Sequence, residues 1–109
     1  MRSTVPLIFA CACVEGISDY HLVKYARGND GINLVIGCGG YALLIYLLLQ
    51  IWKDDSLSMS NVLWNSFSTV INGFVGVTML NEQLSNEEIV GSVLSLSGMG
   101  LIGTQPAKI

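Results

Sequence analysis

Four long apolar segments, separated by short polar breaks, follow one another along the chain. They are Val5–Ala26, Ile32–Trp52, Met59–Leu80 and Glu87–Thr104. Each is close to the roughly 20 residues that an α-helix needs to cross the hydrocarbon core of a bilayer. The second is apolar all round, because Tyr41–Leu49 contains no charge and leaves no polar face for water. The pattern predicts one domain (residues 1–109) that is all-α and integral to the membrane, with four transmembrane helices, rather than a water-soluble bundle.

The breaks between the segments are short and polar. Residues 27–31 have a turn composition, Arg-Gly-Asn-Asp-Gly, and residues 53–58 are charged and hydroxyl-rich. Ser85, followed three residues later by Glu88, forms a capping box and predicts that the fourth helix begins there. Loops this short require neighbouring helices to run antiparallel.

The first segment also has the order of parts of a secretory leader, with Arg2 before the apolar run Val5–Val14. However, Glu15 and Asp19 follow at once, and the rest of the chain is apolar as well. We therefore expect this segment to be retained as the first span.

The composition favours lipid as the solvent of this chain. Of its 109 residues 51% are hydrophobic and 12% are charged, whereas soluble domains carry about 25% charged residues. The net charge of −3 gives no indication of a nucleic-acid partner. One His and three Cys have no metal-ligand spacing, so we expect neither a metal nor a cofactor.

A charged residue near the middle of the first span, Glu15, is the most informative feature. A central acid costs roughly 2.5–3.5 kcal/mol on insertion scales, and each Leu, Ile, Val or Phe returns only about 0.3–0.6. Lys24 is nine residues away, too far to pair within the helix, and no other span has a basic residue near its centre. An acid without a counter-ion in lipid tends to hold a proton, because its charged form is costly there. Glu15 is therefore a candidate proton carrier, with a structural acid bonded to a neighbouring helix as the alternative.

Further polar residues surround this position in the pattern. Asp19 lies one turn after Glu15 on the same face but nearer the membrane edge, and the sequence does not decide whether it is functional. One face of the third span carries polar side chains at helical spacing, bordered by an indole: Asn61, Asn65, Ser68 and Asn72, with Trp64. Interhelical hydrogen bonding explains any single one of them. Three asparagines in register better suit a water-filled or substrate-lined cavity.

Small residues predict helix–helix contact faces on two spans. Gly91, Ser95 and Gly98 form a stripe on the fourth span, the kind that lets helix backbones approach closely. A second packing surface is expected where the second span carries Gly37, Gly39 and Gly40. Tyr41 follows directly, and either reaches a cavity or anchors a packing contact.

The basic residues are almost evenly divided between the two sides of the predicted spans. Arg2, Lys53 and Lys108 fall on one side, and Lys24 and Arg27 on the other. This gives almost no positive-inside bias, so the chain is expected to insert in both orientations. Four spans are also too few to enclose a cavity and wall it from lipid. We therefore expect an antiparallel homodimer.

Nearly the whole chain resembles the small multidrug resistance transporters, a branch of the drug/metabolite transporter superfamily. The residues that carry the resemblance are Glu15, Lys24, Gly28, Tyr41, Trp64, Leu80-Asn81-Glu82 and the Gly91…Gly98 spacing. The resemblance implies a multi-pass protein of the plasma (inner) membrane that exchanges protons for cationic substrates as an antiparallel dimer. It also implies that Glu15 of both subunits binds proton and substrate alternately, and that Trp64 and Tyr41 line an aromatic cavity.

The sequence departs from the family pattern around this cavity. Asn61 stands where a Tyr usually precedes the Trp, and Asn65-Ser66-Phe67 stands where a Gly-x-Gly usually follows it. Asp19 replaces a small or hydroxyl residue one turn after the Glu. The site is thus more polar and more acidic, which favours a small hydrogen-bonding amine, polyamine or guanidinium compound over a bulky drug cation.

The leading hypothesis is a proton-coupled antiporter of small cationic or polar metabolites or drugs. Its predicted proton- and substrate-binding residues are Glu15, Asp19, Tyr41, Asn61, Trp64, Asn65 and Ser68. The alternative is a non-transporting membrane subunit or half-carrier that works in a hetero-oligomer. An enzyme has little support, because no nucleophile–base pair or phosphate loop is evident and the carboxylate pair alone favours it.

Overall fold

The computed structural model of the chain describes residues 3–28 and 30–106 and is all-helical there. Its helices are α1 (Val5–Gly28), α2 (Gly31–Ile51), α3 (Leu57–Met79) and α4 (Asn86–Gly103). Each begins and ends within two residues of a predicted segment, which confirms four helices in an all-α chain. Arg2 and Lys108, two of the charges used to predict orientation, lie outside the described residues.

Polar side chains begin three of the helices. Asp30 caps α2 by accepting a hydrogen bond from the Ile32 amide at 3.3 Å, and Ser56 caps α3 in the same way. At α4 the Glu88 amide donates to Ser85 Oγ at 3.1 Å, and the Ser85 amide donates to the Glu88 carboxylate at 3.3 Å. The predicted capping box is therefore confirmed, and it satisfies two amides that the helix itself leaves unpaired.

Helix α1 occupies the middle of the fold. It packs against α2 on one side and α3 on the other, while α4 packs on α3. The Cα atoms extend 43 × 34 × 17 Å, a flattened slab rather than a closed bundle. As a result α4 has no fully buried residue.

Two glycines of α2 allow its close approach to α1. A Cβ atom on Gly40 would collide with the Ser18 side chain, and one on Gly37 would collide with Leu22. The predicted packing surface is confirmed at these two positions. Gly39 makes no such close contact within the protomer, since an added Cβ would meet nothing within 4 Å.

The apolar core lies towards the end of the fold that holds the α2–α3 loop. It is formed by side chains of three helices, namely Ile8, Cys11, Leu44, Ile51 and Leu63. Two polar contacts bind the same end together: Thr4 Oγ1 donates to Asp55 Oδ2 at 2.5 Å, and Trp52 Nε1 donates to Ser60 Oγ at 3.1 Å. Burial and hydrogen bonding thus fix this end of α1, α2 and α3.

The outer surface of the helices is strongly apolar. Ile45 on α2 is 60% exposed and Leu94 on α4 is 68% exposed, and many other large apolar side chains are similarly uncovered. By length and composition, α1 and α2 are each able to cross a membrane. So many uncovered large apolar side chains suit lipid or a partner subunit rather than water.

Candidate functional site

The carboxylate of Glu15 lies between α1 and α3. Ser68, a buried residue of α3, donates a hydrogen bond from its hydroxyl to Glu15 Oε1. The neighbouring Gly16 explains why α3 comes so close here, since a Cβ on it would collide with Ile71. Glu15 is half-buried at this contact.

The carboxylate of Asp19, one turn further along α1, joins three helices. The Tyr41 hydroxyl of α2 donates to Asp19 Oδ1, and the Asn72 amide of α3 donates to Asp19 Oδ2 at 3.3 Å. The later residue of α1, Asp19, contacts the later residue of α3, Asn72, and the earlier residue, Glu15, contacts Ser68. Helices α1 and α3 therefore run in the same direction. Residues four apart on one helix therefore meet residues four apart on the other.

Neither acid has a basic partner among the residues that the structure describes. The salt bridge found there joins Arg27 to Glu82 at 3.0 Å, between the end of α1 and the α3–α4 loop. The Lys24 ammonium lies over the Tyr20 ring, 5.4 Å from its centroid. Two carboxylates thus lie one helical turn apart without a counter-ion in the described part of the protomer.

The side chain of Trp64 lies one turn before Ser68 on α3. It is half-buried and packs against the apolar core. Its indole Nε1 is buried and makes no hydrogen bond within residues 3–28 and 30–106. A buried donor without a partner is costly, so this N–H is available to an acceptor that the protomer does not supply.

The predicted polar stripe of α3 divides into two parts. Ser68 and Asn72 contact the acids of α1. Asn61 and Asn65 are exposed, and neither of their side-chain amides forms a hydrogen bond to another described residue. Asn61 and Asn65 thus lie apart from Glu15, and one protomer does not gather the whole stripe around a cavity.

A cleft of about 410 Å³ opens between α1 and α3 beside Asp19 and Asn72. Its walls are mostly apolar and come from Leu22, Val23, Ala26, Val75 and Leu80. This volume falls within the roughly 300–1,000 Å³ of small-molecule sites.

The α3–α4 loop closes the far end of this cleft. The Glu82 amide donates to the Gly76 carbonyl at 2.8 Å, and Asn81 adopts a left-handed φ of 57° that turns the chain back. A Cβ on Gly76 would collide with the Glu82 carboxylate. Gly76 therefore makes room for the carboxylate that pairs with Arg27.

Sequence reasoning missed three parts of this arrangement. Asn72 belonged to the predicted stripe but not to the predicted site, although its spacing of four from Ser68 could have placed it opposite Asp19. The contact of Tyr41 with Asp19 depends on how α2 is rotated against α1, which the sequence does not specify. The Arg27–Glu82 pair depends on the fold of a loop.

Comparison with known proteins gives a consistent result, although no family model matches the chain. Multidrug resistance protein EbrA of Bacillus licheniformis is 31% identical over 93 residues, covering 85% of this chain and 82% of that protein. Multidrug resistance protein EbrA of Bacillus subtilis is 33% identical over 63 residues, or 58% and 60% of the two chains. The likeness extends over most of both proteins and agrees with the resemblance carried by Glu15, Tyr41 and Trp64. The chain belongs to the small multidrug resistance family.

Proposed function

We propose that this protein is a proton-coupled antiporter of small cationic substrates, acting as an antiparallel homodimer of four-span subunits in the plasma membrane. The relatives named above are multidrug resistance proteins, which supports a transporter rather than an enzyme. The observation that carries the mechanism is the environment of Glu15. This acid has a neutral hydroxyl partner, Ser68, and no counter-ion among the described residues.

The coupling follows from competition at Glu15. In an apolar site its charged form is costly, so the carboxyl holds a proton when it is empty of substrate. A cation that binds there compensates the charge and allows the proton to leave. Proton and substrate therefore exclude each other on one group, which is sufficient for antiport when the site opens alternately to each side.

Trp64 has two ways of contributing to substrate binding. The face of its ring offers cation–π attraction to an ammonium or guanidinium group. Its buried indole N–H, which has no partner in the described protomer, offers a hydrogen bond to a polar substrate. Both suit a small cation with polar groups, in keeping with the polar replacements around this site.

The dimer is supported by the shape and surface of the protomer. A slab whose α4 has no fully buried residue leaves Gly91 and Ser95 exposed, with room beside Gly91 for another helix. Small residues of this kind allow helix backbones to approach closely in membranes. A second copy placed antiparallel on this face would bring a second Glu15 to a shared cavity.

Transport in purified form separates this proposal from its alternative. Protein reconstituted alone into liposomes, with an imposed proton gradient, is expected to drive uptake of radiolabelled guanidinium or a small amine. A chain that works as a subunit of a hetero-oligomer would show no gradient-dependent uptake by itself. Uptake that is unaffected by collapsing the gradient would also contradict proton coupling.

A further inference from the structure

Asp19 differs from Glu82, the other described acid that lines the cleft, in having no cation beside it among the described residues. Glu82 shares the same cleft but is paired with Arg27 at 3.0 Å. Asp19 is held by Tyr41 and Asn72, both neutral donors from other helices. Its carboxylate is thus fixed in position while its charge remains uncompensated in the described protomer.

The hydrogen bonds of Asp19 leave acceptor capacity for a ligand. Tyr41 uses Oδ1 and Asn72 uses Oδ2, one bond to each oxygen. A carboxylate has about four lone-pair sites. An ammonium group can therefore bind Asp19 without displacing either donor, and the fixed position reduces the entropy lost on binding.

The position of Asp19 relates the cleft to Glu15. Asp19 lines the 410 Å³ cleft, whereas Glu15 lies one turn before it on α1, against Ser68. Leu22, Val23 and Val75 on the cleft walls suit methylene groups rather than charges. A ligand that enters by the cleft meets Asp19 before Glu15.

The two acids are close enough for one short diamine to reach both. Side chains four apart on a helix have Cβ atoms roughly 5–6 Å apart, so two ammonium groups joined by a short methylene chain can each bind one of the carboxylates. A monoamine at Glu15 leaves the second carboxylate without a counter-ion, and an uncompensated charge in an apolar site is costly. A diamine compensates both.

On the basis of the proposed function, we propose that Asp19 is the specificity-determining residue of the Glu15 site and selects short diamines over monoamines. One ammonium takes the place of the proton at Glu15, and the other binds Asp19 at the inner end of the cleft. Tyr41 and Asn72 act as positioning residues that hold the Asp19 carboxylate for the second ammonium.

The test compares putrescine with butylamine, which has the same carbon chain and one charge fewer. Binding to the purified protein is measured by calorimetry for the parent and for Asp19→Asn, which keeps the shape and an acceptor for Tyr41. We expect the affinity of the parent for putrescine to exceed that for butylamine by about tenfold to hundredfold, the usual contribution of a hydrogen bond to a charged group. In Asp19→Asn the affinity for putrescine should fall far more than the affinity for butylamine, so that the preference for putrescine is lost.

Two further measurements keep the outcome decisive. Asp19→Ser, which introduces a small hydroxyl residue, serves as the second variant if Asp19→Asn does not fold. It should lose the same preference for putrescine. Proton release by butylamine from the parent, lost in Glu15→Gln, tests the proposed function separately from the diamine preference. Equal loss of both amines in the Asp19 variants, a preference that survives them, or no binding of putrescine to the parent would overturn the assignment.

Discussion

Glu15 and Asp19 are one helical turn apart, yet the sequence revealed them to different degrees. Glu15 was evident in the sequence because an ionisable residue within an apolar span is costly, and such residues are usually functional. The prediction that Lys24 does not pair with it agrees with the structure, where Lys24 lies over Tyr20. The partners of Asp19 could not be predicted, because a hydrogen bond from Tyr41 requires the rotation of α2 about its own axis.

At the same scale, Trp64 is expected to contribute to cation binding rather than to stability alone. Trp64→Leu should weaken the binding of a small cation by about two- to thirtyfold, the range for a cation–π contact. Calorimetry compares the affinities of the parent and Trp64→Leu. Ligand-dependent fluorescence quenching in a Trp52→Phe background, where Trp64 is the remaining indole, reports whether the cation binds near it. Quenching without any loss of affinity in Trp64→Leu would place the indole near the site but outside the binding contacts.

At the scale of helices, the residues at which a helix begins and ends were easier to predict than the face with which it contacts its neighbour. Caps such as Ser85 and Glu88 are local signals, so the beginning of α4 could be predicted from four residues. Which glycine of α2 meets α1 depends on the packing of two helices. The sequence therefore grouped Gly39 with Gly40, although only Gly40 approaches α1 so closely that an added Cβ would collide with it.

Adding one methyl group to each of these two glycines separates packing from helix propensity. Gly40→Ala should destabilise the protein by about 1–3 kcal/mol, the usual range for overpacking, because its Cβ would collide with a serine that cannot move easily. That serine, Ser18, is buried and its hydroxyl donates to the Val14 carbonyl at 2.7 Å. Gly39→Ala is the matched control, and should be neutral or stabilising by up to about 1 kcal/mol. Unfolding in mixed detergent micelles measures both, and equal stabilities would contradict the α1–α2 contact.

At the scale of the whole molecule, the proposed site is incomplete within one protomer. Glu15 and Asp19 are in place on α1, but Asn61 and Asn65 lie on an exposed surface and Trp64 has an unused donor. The sequence of one chain does not specify how a second copy would complete the proposed site, because its pattern contains no contact between chains. The near balance of basic residues, which favours insertion in both orientations, was the strongest indication of antiparallel pairing.

The proposed dimer face on α4 can be tested with a substitution at two glycines on opposite sides of that helix. Gly91 and Gly100 are nine residues apart, so they lie about 180° apart at 100° per residue. Both are exposed with no atom within 4 Å of an added Cβ. Gly91→Leu should reduce crosslinked dimer in mild detergent by about tenfold, whereas Gly100→Leu should leave it unchanged. Undiminished dimer in Gly91→Leu would place the interface on another helix.

The central claim is that Glu15 exchanges a proton for a cation, and proton release from purified protein on substrate addition measures it most directly. Parent protein should release protons when guanidinium or a small amine is added, with less release as the pH rises, because fewer protons remain on Glu15 to be displaced. Glu15→Gln keeps the shape and an acceptor for Ser68. It should fold at least as well as the parent, because it removes a group whose charged form is costly in an apolar site, and it should release no protons. Glu87→Gln, the same change at an exposed residue of α4, should release protons like the parent. Parent-like proton release from Glu15→Gln would show that Glu15 is a structural acid and would contradict the mechanism.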